Sequence, residues 1–311
     1  MLQCELPPNL GPITVNRTDI NLEELDETAF PEVKWGGQFS PRNCIALHKV
    51  AIIVPYRDRK QLLPIFLNHI HQFLMKQNLI EYGIFIIEQA SRHDYFNRGK
   101  LLNVGFLASR NVTDWQCFIF HDIDLLPLDQ RNIYTCPDEK QPRHHAAAVD
   151  SRDFKLTHDN DFSGVSAMTL KQFTKINGYS NTFWGLSGES EDIVLRMKRK
   201  GYTISRYNLT TSRYASLSHK PSPSNKNRRY TWYQTMLKAK TALKHEGLAT
   251  LKFSVKRVTP HRLYTHIVAD IGHSPTVFRM LKVMEKFKIQ QADLNMRERM
   301  DSVKNELIAV L

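Results

Sequence analysis

Three short apolar runs dominate the first half of the chain: VAIIVPY (50–56), YGIFIIEQA (82–90) and CFIFHDIDLLP (117–127). Each has the length and near-continuous hydrophobicity of a strand buried on both faces. Between the first two, residues 60–77 place Leu63, Phe66, Leu67, Ile70, Phe73 and Leu74 on one side of a helix. Between the second and third, FNRGKLLNVGFLASR (96–110) is a second amphipathic helix. Strands alternating with helices specify an α/β fold around a mostly parallel sheet, because parallel neighbours need a crossover. Ligands of such sheets sit beyond the carboxyl ends of the strands. YRDR (56–59) and HDID (121–124) both fall there.

At those ends the residue types are suggestive. Asp122 and Asp124 close an apolar strand, and hard carboxylate oxygens there suit Mg²⁺ or Mn²⁺ bridging nucleotide phosphates; alone, the pair is equally a solvated strand end. Pro55, Tyr56, Arg57 and Arg59 bring two guanidinium groups to the first strand end, fit for phosphate or for pairing with Asp58. Phe96 and Arg98 add an aromatic face and a cation at the next. Together these outline a nucleotide pocket.

Beyond residue 142, AAAVDSR, VSAM and LKFSVKRV read as short strands, and 190–200 and 233–244 as helices. In FWGLSGESED (183–192), Ser187 or Ser190 caps a helix whose first turn holds Glu189, Glu191 and Asp192 and whose last turn is Lys198-Arg199-Lys200 before Gly201. Helix capping and the macrodipole account for those charges without any chemistry. The division expected is a wrapping segment (1–47), an α/β domain (48–272) and a helical tail (273–311).

The formal net charge of +12 points to an anionic partner. No nucleic-acid module accompanies it, so no nucleic acid is expected. No run of 18 apolar residues spans a membrane, and MLQCELPPNL lacks signal-peptide order. Cys4, Cys44, Cys117 and Cys136 show no zinc spacing and allow three disulfide connectivities. With the triplets at Asn16, Asn111 and Asn208 they favour an oxidising, glycosylating compartment.

FHDIDLLP, FSGVSAM followed by FTKINGYSNTFWGLSGESEDI, PYRDR, FNRGKLLNVGF and LYTHIVADIG resemble the β-1,4-galactosyltransferase family over roughly residues 4–272. The resemblance implies a GT-A fold, Mn²⁺, an inverting transfer from UDP-galactose or UDP-N-acetylgalactosamine, and a glycan acceptor ending in N-acetylglucosamine. It implies a Golgi-lumenal or secreted protein, held to the membrane only through an amino-terminal anchor that this sequence lacks. It pairs Cys4 with Cys44 and Cys117 with Cys136. It assigns the metal to Asp124, His219 and the position of Ser216, and the UDP-sugar to Pro55, Tyr56, Arg57, Arg59, Phe96, Arg98, Asp124 and Gly188. It places Trp184, His158, Asp161 and Tyr233 at the sugar pocket, where the smaller Asp161 leaves room for an N-acetyl group.

The family's acidic loop, Trp-Gly-Trp-Gly-Gly-Glu-Asp-Asp-Asp, here has Leu186 for the second tryptophan and Ser190 for the first aspartate, the usual base; Ser216 replaces a methionine ligand. Serine does not accept a proton at neutral pH, and loss of general-base catalysis raises a barrier by roughly 3–5 kcal/mol. The catalytic candidates are therefore Glu189, Glu191 and Asp192. The alternative is an impaired relative that binds nucleotide or glycan.

Overall fold

A computed structural model of the chain describes residues 1–18, 20–185, 188–219 and 245–275. In chain order the elements are α1 (Leu22–Thr28), β1 (Gln38–Phe39), β2 (His48–Tyr56), α2 (Leu62–Gln77), β3 (Ile80–Gln89), α3 (Arg98–Ser109), β4 (Cys117–His121), β5 (Leu125–Pro127), β6 (Arg143–His144), β7 (Ala148–Val149), β8 (Val165–Thr169), α4 (Leu170–Lys175), α5 (Glu189–Arg199), β9 (Arg213–Ser216), β10 (Ser254–Pro260) and β11 (Thr265–Asp270). The main sheet has the order β10-β11-β3-β2-β4-β8-β6, with β1 also against β3; β5, β9 and β7 form a smaller sheet. Its centre, β11-β3-β2-β4, is parallel. β10, β8, β6 and β1 join it antiparallel. This is a mixed α/β architecture around a parallel centre.

The period of two along β2 divides the core. Val50, Ile52 and Val54 face one side, against Phe66, Leu67, Ile70 and Phe73 of α2. Ala51 and Ile53 face the other, against Leu101, Leu102 and Phe106 of α3. Both faces of the central strands are therefore covered, as their continuous hydrophobicity requires. Truncating a side chain such as Phe66, with no exposed surface, costs about 3–5 kcal/mol.

CFIFHDIDLLP reads as one strand, but the chain turns inside it. β4 ends at His121, Leu125 N donates to Asp122 O at 3.3 Å, and β5 continues in the smaller sheet. Asp122 and Asp124 thus lie in a tight turn between two sheets rather than at the tip of one strand. The 1–47 segment carries α1 and β1, and Gly36 and Gly37 donate backbone hydrogen bonds to His261 and Arg262. Cys4–Cys44 and Cys117–Cys136 are both bonded; loops of 40 and 19 residues correspond to about 4 and 3 kcal/mol of lost unfolded-state entropy. Residues 1–272 form one compact unit. Residues 276–311 of the expected tail (273–311) and the expected helix 233–244, with Tyr233, lie outside the described residues. Among the described residues no helix is long and apolar enough to cross a membrane.

Candidate active site

The carboxyl ends of β2, β3 and β4 converge, and the loops leaving them carry the charged residues. At the end of β2, Pro55 and Tyr56 are the last residues of the strand. Arg57 is buried, donates from Nη1 to Asp94 O at 2.6 Å and lies 5.1 Å from the Phe96 ring centroid. Burial pushes the Tyr56 hydroxyl up to about 12, with Glu88 adding to it, so it stays a neutral donor. Arg59 is half-buried beside Asp58. Phe96 precedes α3 rather than opening it, because Asn97 takes the N-cap, accepting from Lys100 N at 2.9 Å.

Asp124 Oδ2 and His219 Nε2 approach to 2.8 Å. The strand pairing explains this: Leu125 faces Ser216 in the β5–β9 ladder, and Leu217 N donates to Asp124 O at 2.7 Å. A carboxylate oxygen and an imidazole nitrogen converging on one point suit Mn²⁺. Ser216 sits beside them but its Oγ donates to Asp150 Oδ1 at 2.5 Å, and its N–H donates to the same oxygen at 2.8 Å. Among the described residues no cluster of three His, Cys, Asp or Glu is close enough to hold an ion. Among the described residues, Asp124 and His219 are the two side chains that would hold such an ion.

Arg98 is the electrostatic centre of the cleft. Its Nε donates to Asp122 Oδ1 at 2.6 Å, its Nη2 to Gly164 O at 3.3 Å, and its Nη1 lies 3.9 Å from Glu189 Oε1. Burial pushes the Glu189 carboxyl up, and the Arg98 charge offsets only part of that. Among the described residues Arg98 Nη1 and Glu189 Oε2 are buried without a hydrogen-bond partner. Buried polar atoms of opposite character left without partners side by side are chemically able to receive a ligand's hydroxyls.

The helix bearing Glu189 begins at Gly188, whose φ of 134° favours glycine. Gly188 holds the N-cap position without a side-chain cap, and Ser190, proposed as a cap, lies inside the helix instead; Ser187 lies outside the described residues. The three acids of its first turn separate in environment. Glu189 faces Arg98, Glu191 is half-exposed, and Asp192 is 1% exposed with its Oδ2 2.6 Å from Arg196 Nε. That pairing turns Asp192 into the interior, away from any substrate.

Among the residues that the resemblance assigns to the sugar pocket, Trp184 is buried in the core, with Lys100 Nζ 5.3 Å from its ring centroid. His158 is exposed. Asp161 is buried and its carboxylate is satisfied by Arg152 Nη1 at 3.0 Å and by Ser163 N and Oγ at 3.0 and 2.6 Å. Burial alone would raise Asp161, but the Ser163 hydrogen bonds and the charges of His144 and Arg152 hold it below the usual carboxylate range. Arg196 and Glu246 were not singled out by sequence. For Arg196 a signal existed, its i,i+4 spacing from Asp192; for Glu246, 50 residues from Arg196, none did.

The chain is similar to known proteins over most of its length. The family described as "N-terminal region of glycosyl transferase group 7" matches residues 3–137, and "N-terminal domain of galactosyltransferase" matches residues 143–220. Mouse (Mus musculus) β-1,4-galactosyltransferase 1 is 39% identical over 269 residues, covering 86% of this chain and 66% of its own length. Human (Homo sapiens) β-1,4-galactosyltransferase 2 is 38% identical over 274 residues, covering 87% of this chain and 72% of its own. The chain thus spans just under two thirds of the mouse relative. The catalytic domain of Drosophila β-1,4-galactosyltransferase 7 in complex with xylobiose superposes with a TM-score of 0.62 at 25% identity, over 74% of this chain and 97% of that one. A mutant of that Drosophila enzyme, in complex with manganese, UDP-Gal and xylobiose, gives 0.61 at 24% identity, over 74% and 97%.

Proposed function

The chain belongs to the β-1,4-galactosyltransferase family, and on that premise we propose that it transfers galactose or N-acetylgalactosamine from the UDP-sugar to a glycan ending in N-acetylglucosamine, with inversion. The observation that carries this reading is the buried orphan pair, Arg98 Nη1 and Glu189 Oε2, beside Asp122 and one turn from Asp124. A donor and an acceptor so placed, desolvated and without hydrogen-bond partners, suit sugar hydroxyls at a reacting centre.

In this reading Arg57, Arg59 and Phe96 receive the nucleotide. Asp124 and His219 would hold Mn²⁺, which when bound neutralises the diphosphate. The acceptor hydroxyl loses its proton to Glu189 Oε2 as its oxygen bonds to the anomeric carbon, and the bond from that carbon to UDP breaks on the opposite side. Glu189 suits the role because burial raises its carboxyl above the ordinary carboxylate value and makes it a stronger base, whereas Asp192 is paired with Arg196 and Ser190 is no base. Asp161, smaller than the tyrosine of the family and with its carboxylate drawn onto Arg152 and Ser163, makes UDP-N-acetylgalactosamine a second donor to test.

Glu189→Gln is expected to lower kcat by roughly 10²- to 10⁴-fold while Glu191→Gln stays within about threefold. The opposite ranking would move the proton to Glu191. Ser190 favours a second reading, a binding module without turnover; UDP-sugar binding with no transfer to any N-acetylglucosaminide would support it. The two disulfides and the exposed Asn16, Asn111 and Asn208 support a lumenal or secreted location, with the Golgi lumen proposed from the family.

A further inference from the structure

The orphan pair depends on two helices meeting correctly. Arg98 is the first residue of α3 and Glu189 the first of α5, and neither is fixed by the other at 3.9 Å. What holds the helix starts together lies behind the cleft.

Glu246 occupies that position. Its Oε2 accepts from Arg196 Nη2 at 2.7 Å, and its backbone carbonyl accepts from Arg196 Nη1 at 2.8 Å. Arg196 in turn donates from Nε to Asp192 Oδ2 at 2.6 Å, in the first turn of α5. The other carboxylate oxygen, Oε1, accepts from Asn181 N at 2.5 Å. The carbonyl of Asn181 accepts from the side chain of Asn97 at 2.9 Å, and Asn97 is the N-cap of α3. A second strut joins Asn181 Oδ1 to Asn103 Nδ2 of α3 at 3.1 Å.

One carboxylate therefore reaches both helix starts: α5 through Arg196 and Asp192, α3 through Asn181 and Asn97. The next residue must be glycine for this approach. A Cβ on Gly247 would lie 2.0 Å from Asn177 O and 2.8 Å from Arg196 Nη1, and its φ is +133°.

We propose that Glu246 is a positioning residue that clamps the first turns of α3 and α5 together and so sets the approach of Arg98 to Glu189. It touches no substrate in this arrangement. The consequence for catalysis rests on the function proposed above; the clamp itself does not.

Glu246→Gln is the decisive variant, because an amide presents one acceptor and one donor where the carboxylate presents two acceptors. It satisfies Arg196 or Asn181, not both. Hydrogen exchange read by mass spectrometry is expected to speed up in peptides covering both 97–101 and 189–193, with α2 and β2 unchanged. In the transfer assay kcat is expected to fall roughly 10- to 100-fold, the range for small misplacements of reacting groups.

Unchanged exchange, or faster exchange in one helix only, overturns the clamp. Faster exchange in both with kcat intact overturns the positioning of the site. If the wild-type chain transfers no sugar, the proposed function falls, and exchange together with UDP-sugar affinity decides whether Glu246 orders the cleft. Gross unfolding is separated from these outcomes by α2 and β2, which exchange faster only if the whole fold loosens.

Discussion

Replacing Tyr134 by Phe is expected to cost more than replacing Tyr214 by Phe, although each removes one buried hydroxyl from one hydrogen-bonded chain. His121 Nδ1 faces the Asp122 carbonyl at 2.9 Å. A carbonyl only accepts, so Nδ1 carries the proton and Nε2 is an acceptor. Tyr134 therefore donates to His121 Nε2, at 3.0 Å, and Tyr214 donates to Tyr134, at 2.7 Å. Asn132 Nδ2 donates to Tyr214 at 3.3 Å and to His145 O at 3.2 Å, which leaves Asn132 Oδ1 to accept from His145 Nδ1 at 2.7 Å. Every direction along the chain follows from the two carbonyls.

Removing the Tyr134 hydroxyl strands two groups, the His121 acceptor and the Tyr214 donor. Removing the Tyr214 hydroxyl strands one amide hydrogen of Asn132, already in a long bond, while Tyr134 keeps donating. At about 1–3 kcal/mol per stranded buried group, Tyr134→Phe costs about 3–4 kcal/mol and Tyr214→Phe about 1–2. At roughly 2–4 °C per kcal/mol for a unit of this size, the melting temperature falls by about 10 °C and 5 °C. Thermal melts followed by near-UV circular dichroism at pH 7.5 read the difference. Equal losses, or a larger loss for Tyr214→Phe, would refute the assigned directions.

Other expectations follow from the same geometry. Burial lowers His71 and His144 to about 4 and His121 to about 3, against 6.5. These groups are neutral when folded and take up protons on unfolding, so stability is intact above pH 6.5 and falls as pH drops towards their folded values. At pH 5 each contributes about 2 kcal/mol of loss, a large part of the about 5–15 kcal/mol typical of a domain; melting temperatures that do not fall between pH 7 and 5 would contradict this. Asp124→Asn and His219→Ala are each expected to weaken Mn²⁺ binding, measured by electron paramagnetic resonance, by roughly tenfold or more, while Ser216→Ala changes it little; a larger loss for Ser216→Ala would make the serine a ligand. With Glu189 as base, Ser190→Asp is expected to leave kcat within about threefold, and a gain approaching 10²-fold would show that the natural chain lacks a working base. Expressed through a secretory route, the chain is expected to lose mass on amidase treatment, with aspartate appearing at Asn16, Asn111 or Asn208; no conversion at any of them would count against a lumenal route.

The parallel centre of the fold is legible in the sequence because its signals are local. β2, α2, β3 and α3 follow from apolar periodicity, and the reading of each differs from the structure by a few residues at its ends. The turn at Asp122–Asp124 is hidden, since Leu125, Leu126 and Pro127 continue the apolar run while entering a different sheet. β11, parallel to β3 inside the main sheet, alternates buried and half-buried residues over only six positions, and its motif is more visible than its strand. Glu189, Glu191 and Asp192 are adjacent in sequence and indistinguishable there. Their separation into a cleft carboxylate, a half-exposed one and a buried ion-pair partner depends on Arg98 and Arg196. The node at Glu246 joins residues 65 and 50 positions away, and no local pattern announces it.

The central claim is that the cleft between α3 and α5 transfers a sugar. The most direct measurement supplies Mn²⁺, UDP-galactose or UDP-N-acetylgalactosamine, and an N-acetylglucosaminide to the purified chain, and follows UDP and disaccharide together. The account predicts equimolar UDP and a β-1,4-linked disaccharide, with both lost in Glu189→Gln. Binding of the UDP-sugar with no disaccharide from either donor would contradict it.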